Sequence, residues 1–466
     1  MIRSTISLVA AALLATASSS AVAQSTDGVV SLNDAVTAAM QSNPEILQAQ
    51  MNTEAIQFER EQAQGQYYPR LNLEASAGAR RLENATRRAL KISNDWLYPL
   101  EADATADMTL IDFGRRRGEL LRQAARVDGA SLRVVERSQF IALQVARQYM
   151  NVLLQQRISA AAQDNVTFHQ SLVNDLAEGV KQGSISVADQ QQAEERLQAA
   201  LVRQDEAMQD LTDAKIELRR LTGLQIDTVS LPPVLAARVP PSEDAAIGLA
   251  RTANPLVREA QADVDAAEAV VTSAKGDLYP TIGVDLTGRI GEDIDGFKGQ
   301  TNDVQGRIYL RWNVFDGGIN RAKVQETVRQ ASQARFKLYE VIRQAEGDVA
   351  NAWNARTSQD AITKKLDRES QVSDDLLLSY RSQFNVGRRS LLDVLDAENT
   401  RFNTQVRLET ARFSQMFAEY QILAATDQLL EALNVQPGAG AGANERERFN
   451  YGPPVPAELQ RRRYPG

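Results

Sequence analysis

The sequence predicts a mainly α-helical chain in which one structural unit is used twice. Each copy joins a long coiled-coil helical hairpin to two β-strands that belong to a transmembrane β-barrel. Three observations carry this. First, landmarks recur in a constant order. Asn43-Pro44-Glu45-Ile46 returns as Asn254-Pro255-Leu256-Val257, Tyr68-Pro69-Arg70-Leu71 as Tyr279-Pro280-Thr281-Ile282, and Asp112-Phe113-Gly114 as Asp316-Gly317-Gly318, the mark of a duplicated unit. Second, seams such as Leu132, Val135, Gln139, Ala142, Ala146, Tyr149 and Leu153, or Val328, Ala331, Arg335, Leu338, Ile342, Ala345, Val349 and Ala352, step by three and four, which is the period of packed long helices. Third, short segments such as Val304, Ile308, Leu310, Trp312 and Val314 alternate with polar residues, the period of half-buried strands.

In chain order, residues 1–23 read as an export signal: Arg3, a short apolar run from Ile6 to Ala17, then the small-x-small site Ala21-Val22-Ala23. The apolar run is shorter than the roughly 20 residues a membrane-spanning helix requires. Residues 24–222 form the first copy, with helix over about Leu32 to Gln64 and strands near 71–78 and 104–111. Its long helix runs from Arg115 to about Glu178, followed by a turn at Gly179 to Ser186 and a returning helix to Leu221. Residues 223–241, with paired prolines at 232–233 and 240–241, cannot continue a helix and join the copies. Residues 242–435 repeat the plan, with strands near 281–290 and 304–314, a long helix over Ile319 to Gln383, a turn at Phe384 to Ser390, and a return to Leu433. Each long helix should measure about 95 Å at 1.5 Å per residue. Residues 436–466, rich in Gly, Pro and Arg, are expected to be disordered.

Period two by itself favours an ordinary soluble sheet, and export without any other membrane element turns the reading to the bilayer. Four tilted strands of about ten residues can cross it but cannot close a barrel, and an open edge is not tolerated in lipid. Several chains should therefore share one barrel. Its lipid face should carry Leu286, Leu310 and Trp312, with Tyr68, Tyr279, Tyr309 and Trp312 available for the interfaces. Loops at 79–103 and 291–303 should lie outside the cell.

Composition removes whole classes of function. There is no cysteine, hence no disulfide, thiolate metal site, thiol nucleophile or lipidated cysteine. The single histidine, His169, stands in a polar stretch and reads as a solvated surface residue. It cannot build a two-histidine metal site. No P-loop is present, no cofactor is implied, and enzymatic chemistry is not expected. With 52 basic against 60 acidic residues and no basic patch, nucleic acid is not an expected partner.

The chain resembles the TolC family of outer-membrane channel-tunnels. The resemblance rests on the Asn-Pro helix starts, the steps at Pro69 and Pro280 into strands, the strand exits at Gly114 and Gly318, and above all Phe384-Asn385-Val386-Gly387-Arg388-Arg389-Ser390-Leu391-Leu392-Asp393-Val394-Leu395-Asp396-Ala397. It covers about residues 30 to 435. It implies a homotrimer, a single twelve-stranded barrel in outer-membrane lipid, and twelve helical columns forming a tunnel through the periplasm. It further implies service as the exit duct for an inner-membrane ABC or RND pump joined by a periplasmic adaptor. By the same resemblance, Asp393 and Asp396 form acidic rings at a periplasmic gate, and Arg389 and Phe384 belong to the links holding it shut. Phe384 replaces a tyrosine of some members and so lacks its hydroxyl. Asp189, after Gly183, is the counterpart in the first, outer hairpin. Residue type alone offers another reading for the acidic pair, because a helix N-terminus favours carboxylates. The motif around the pair favours the gate.

Type I protein secretion is the first functional expectation, since many drug-efflux members carry the lipidated cysteine missing here, with small-molecule efflux next. A soluble periplasmic coiled-coil adaptor is the remote alternative, and it offers no use for four barrel-length strands.

Overall fold

The computed structural model describes residues 28–442 and 444–446. The export signal at 1–23 and the end of the tail lie outside the described residues. In order, the chain forms β1 (Val29–Val30), α1 (Leu32–Ser42), α2 (Pro44–Gly65), β2 (Arg70–Ala77), β3 (Arg80–Arg81), α3 (Ala85–Ala89), β4 (Trp96–Leu97), β5 (Leu100–Ile111), α4 (Arg115–Lys181), α5 (Val187–Thr222) and β6 (Thr228–Val229). The second half adds α6 (Glu243–Ala253), α7 (Pro255–Gly276), β7 (Thr281–Glu292), β8 (Gln300–Arg311), α8 (Ile319–Asn385), α9 (Leu391–Ala425) and α10 (Leu429–Ala432).

The duplication is visible residue for residue. Helices α1 and α6 both have 11 residues, α2 and α7 both 22, α4 and α8 both 67, and α5 and α9 have 36 and 35. The same local chemistry starts each counterpart. Asn43 ends α1 and caps α2, its Oδ1 accepting from Glu45 N at 3.0 Å, with Pro44 at the first helical position. Asn254 does the same for α7, accepting from Leu256 N at 2.9 Å. Each asparagine also reaches the end of its copy's returning helix: Asn43 Nδ2 donates to Leu221 O at 3.4 Å and Asn254 Nδ2 to Ala425 O at 2.9 Å.

The strand exits are equally matched. Asp112 accepts from Gly114 N and Arg116 N, and Asp316 from Gly318 N and Asn320 N, so each carboxylate satisfies donors at the head of a 67-residue helix. Gly114 and Gly318 have φ of 101° and 91°, which side chains with a Cβ avoid. Just inside α4, Gly118 lies against α7. A Cβ there would sit 2.4 Å from the backbone nitrogen of Ser273.

The four long strands form one antiparallel sheet ordered β2-β5-β7-β8. Its strands differ from expectation at three points. β5 starts at Leu100 and β8 spans 300–311, so Trp312 and Val314 lie past the strand, the Trp312 indole donating to Leu278 O at 3.2 Å. A β-bulge between Thr109 and Ile111 takes Leu110 out of register. The loop after β2 is also structured: buried Arg87 donates to the carbonyls of Ile92 and Asp95 at 2.6 and 3.0 Å and to Gly296 O, pinning two strand-connecting loops together.

The largest apolar cluster is a belt at mid-height, where α1, the middle of α4, the ends of α5 and α9, and α10 converge. The linker is drawn into it. β6 pairs in parallel with β1, Tyr149 donates to Val30 O or Ser230 O, each 2.8 Å away, and Tyr420 donates to Pro233 O at 2.7 Å. Smaller clusters are strung along the hairpins above and below.

The expectation of disorder from residue 436 is corrected for residues 436–442 and 444–446. Gly438 N donates to Ser138 Oγ at 3.1 Å and Ser131 Oγ to Gly440 O at 2.6 Å. Asp128 accepts from Glu445 N at 2.7 Å and from Arg446 N and Nε at 3.1 and 2.8 Å, and Arg446 also pairs with Asp265 of α7. Glycine here lets the backbone lie against α2 and α4: a Cβ on Gly438 would meet Ile46 at 2.6 Å.

Candidate functional site

Two regions bear on function, the sheet at one end and the hairpin tips at the other. The sheet register sorts its side chains cleanly. One face carries Leu71, Leu73, Ala104, Met108, Leu286, Ile290, Val304, Ile308 and Leu310. The other carries Asn72, Glu74, Asp103, Asp107, Asp285, Arg289, Asp303 and Arg307. On the polar face Arg307 pairs with Asp285 at 2.9 Å, and Arg289 with Asp295 at 2.7 Å. Leu286 and Leu310 therefore share the apolar face as expected. The sheet edges, β2 and β8, run in opposite directions and have no partner strand among the described residues.

At the other end, α8 turns into α9 through Gly387 at φ 70°. Ser390 Oγ accepts from Asp393 N at 3.2 Å, and Asp393 Oδ2 accepts from Ser390 N at 3.3 Å, a complete capping box. The matching outer tip turns at Gly183, φ 71°, and Asp189 N donates to Ser186 Oγ at 3.1 Å. Ser390 and Ser186 are thus the helix caps in this fold. The Asp393 carboxylate completes the box at the inner tip, while that of Asp189, among the described residues, accepts only from Ser186 Oγ at 2.8 Å. Asp396, one turn on, is exposed, while Val394 and Leu395 between the two aspartates are buried.

Arg389 stays within its own hairpin. Its guanidinium lies 4.0 Å over the Tyr380 ring, Nε donates to Gln383 Oε1 at 3.2 Å, and Nη1 is 3.8 Å from Asp393 Oδ2. Phe384 is half-buried, packed where Leu172, Leu176, Leu391 and Leu395 meet Leu377 and Val394. It joins the inner tip (α8 and α9) to the outer hairpin (α4 and α5) by apolar contact, for which no hydroxyl is required.

Two features were missed in the residues. His169, expected in solvent, is 4% exposed. Burial first, then the positive charges of Arg203 and Arg196, push its pKa down to about 4. Its seam neighbours Ala162, Val166, Leu172 and Leu176 are apolar at helical spacing, and that period outweighs its polar neighbours in sequence. Glu398, fully buried, accepts from Asn165 Nδ2 of α4 at 2.8 Å. It occupies a seam position after Leu391, Val394 and Leu395, and that charged interruption was its signal.

Comparison with known proteins turns these observations into a family. The family described as outer membrane efflux protein matches residues 35–224 and 246–434, one stretch on each copy. The chain belongs to the outer membrane efflux protein family. This bears out the TolC resemblance and assigns this efflux-family chain to the outer membrane, with its helices extending into the periplasm. The outer membrane efflux protein BepC of Brucella suis is 26% identical over 61% of this chain and 63% of its own. The alkaline protease secretion protein AprF of Pseudomonas aeruginosa is 23% identical over 51% of each chain. Both matches span less than two thirds of the relative's length. The crystal structure of VceC from Vibrio cholerae superposes with a TM-score of 0.73 over 87% of this chain and 96% of that one, at 17% identity, a likeness of fold.

Proposed function

We propose that three copies of this chain close a twelve-stranded outer-membrane barrel above a helical tunnel, and that the assembly is the exit duct of a tripartite export system. The two-faced open sheet carries the reading. Its apolar face suits lipid and its charged face suits a water-filled lumen. Its antiparallel edges allow β8 of one copy to pair with β2 of the next until no edge remains. Helices of about 100 Å below it reach deep into the periplasm. There a periplasmic adaptor and an ABC or RND pump would supply cargo and energy, the duct itself needing no nucleotide.

Asp393 and Asp396 line the lumen at the periplasmic constriction, and Arg389 and Phe384 help hold the tip shut. Capping and pore lining are compatible, because a capping carboxylate leaves its outer lone pairs to the solvent. Secreted protein is the first cargo, supported by the relative AprF, named for protease secretion. Small-molecule efflux is the second reading, supported by the name of BepC.

Fractionation and single-channel recording test the proposal together. The expected result is a heat-modifiable trimer in the outer membrane whose cation preference weakens when Asp393 and Asp396 become Asn. Release by osmotic shock would overturn the duct, and an Asn double mutant that selects like its parent would overturn the gate assignment. Deleting the gene should empty the culture supernatant of one or more proteins. Lowered drug resistance with an unchanged supernatant would transfer the reading to efflux.

A further inference from the structure

Just above the tip turns, the inner and outer hairpins meet at a buried polar seam. Glu398 of α9 is 0% exposed, about two turns beyond Ser390. From α4, Asn165 Nδ2 donates to its Oε1 at 2.8 Å. From α9 itself, Arg401 Nη1 lies 3.3 Å from its Oε2 and turns Nε to Asp374 of α8 at 2.7 Å. Arg401 is thus divided between two carboxylates, and Glu398 has less than one full countercharge. Burial, reinforced by the negative charge of Asp374 and only partly offset by Asn165 and Arg401, holds the Glu398 carboxyl above the usual glutamate range.

The seam is also short of hydrogen bonds. Asn165 Oδ1 and His169 Nδ1, one turn apart on α4, are both buried without a hydrogen-bond partner among the described residues. His169, facing Arg196 and Arg203 of α5 and lowered to about 4, is uncharged across the neutral range, so Glu398 is the group left to take or release a proton there.

We propose that Glu398 is a proton-operated latch between the two hairpins, holding the periplasmic tip closed when protonated and easing its release when ionised. The proposal rests on the duct reading, since it presupposes a tip that opens. Any movement that parts α9 from α4 brings Glu398 to water. A carboxylate gains far more from hydration than a neutral acid, so parting the hairpins is harder for the protonated form. The closed seam binds the proton more tightly than the open one would. Acid therefore favours closure, and the preference is lost as pH rises through the raised value. What the burial does is couple opening to proton release at the end that faces the pump.

The test is recording from full-length trimers in planar bilayers, in an Asp393→Asn, Asp396→Asn background that silences the acidic pair. The periplasmic side is titrated from about pH 8 to about pH 5. Open probability should fall on acidification by up to about tenfold per pH unit for each latch that must part. Glu398→Gln, fixed in the neutral form, should give a low and pH-independent open probability. Should that variant fail to assemble, Asn165→Asp sets a second carboxylate against Glu398 and should move the closing midpoint to higher pH. Channels whose pH profile is unchanged by Glu398→Gln, or a midpoint unmoved by Asn165→Asp, would overturn the latch while leaving the duct standing. Absence of any channel from every protein would overturn both.

Discussion

The C-terminal strap gives a prediction whose size follows from one buried carboxylate. Asp128 of α4 is 3% exposed, and the donors described for it all come from the tail: Glu445 N, Arg446 N and Arg446 Nε, at 2.7, 3.1 and 2.8 Å. Changing Arg446 to Ala removes its charge-assisted bonds to Asp128 and Asp265 but keeps both backbone donors to Asp128, which should cost about 1.5–3 kcal/mol or a little more. Ending the chain after Gln436 removes all three and leaves a buried charge without a partner, which should cost about 3–5 kcal/mol. Adding Asp128→Asn to the truncated chain should recover part of the loss, because a buried amide is less costly than a buried charge. Unfolding of such an assembly is expected to be irreversible, so thermal scans at one fixed rate are the assay. The expected order of melting temperature is parent, Arg446→Ala, rescued truncation, truncation, the middle pair being close. A truncated chain that melts with its parent would refute the reasoning, as would a rescue substitution that makes matters worse.

Three further outcomes are expected. Val304→Arg places a charge on the apolar face near the middle of the sheet and should cost about 2–4 kcal/mol at mid-bilayer, seen as reduced assembled trimer; normal yield would reverse the facing assignment. Gly118→Ala drives a methyl into the backbone at Ser273 and should cost about 1–3 kcal/mol by overpacking, read from melting. At Glu259 of α7, burial holds the carboxyl above its usual range, with Arg133 opposing and Asp263 adding to the shift. The folded chain therefore binds that proton more tightly than the unfolded one. Glu259→Gln should raise melting at neutral pH, with the gain fading as pH falls through the raised value towards the ordinary glutamate range.

What could be read in the residues was local or periodic. The recurring Asn-Pro, Tyr-Pro and Asp-x-Gly landmarks located the starts of α2, α7, β2, β7, α4 and α8. The step of three and four followed α4 and α8 to within a turn of their ends, while the returning helix expected to reach Leu433 stops at Ala425. Where the period faded, the reading failed. Gln300 to Asp303 are polar on both faces, so the first turn of alternation in β8 was invisible. The tail misled for a physical reason: glycine marks disorder by composition, yet at Gly438 it is what lets the backbone press against Ile46. Long-range bonds have no period at all. Nothing near Asn43 or Asn254 in sequence announces that each also holds the far end of a hairpin. At the tip, the motif located the turn between α8 and α9, but the capping box and the inward-folded Arg389 emerged only in the folded chain.

The opposed free edges of the sheet carry a consequence for genetics. If three copies close a ring by β8-to-β2 pairing, as proposed, that ring is no better than its weakest seam, because one failed edge leaves backbone groups bare in lipid. A subunit with a proline in the middle of β8 would still offer a normal β2 to its neighbour and so would enter rings instead of being excluded. Coexpressed with an equal amount of parent, it would leave only about one ring in eight free of a defective copy if subunits mix at random in closed trimers. Such alleles should be dominant, whereas truncations that prevent folding should be recessive.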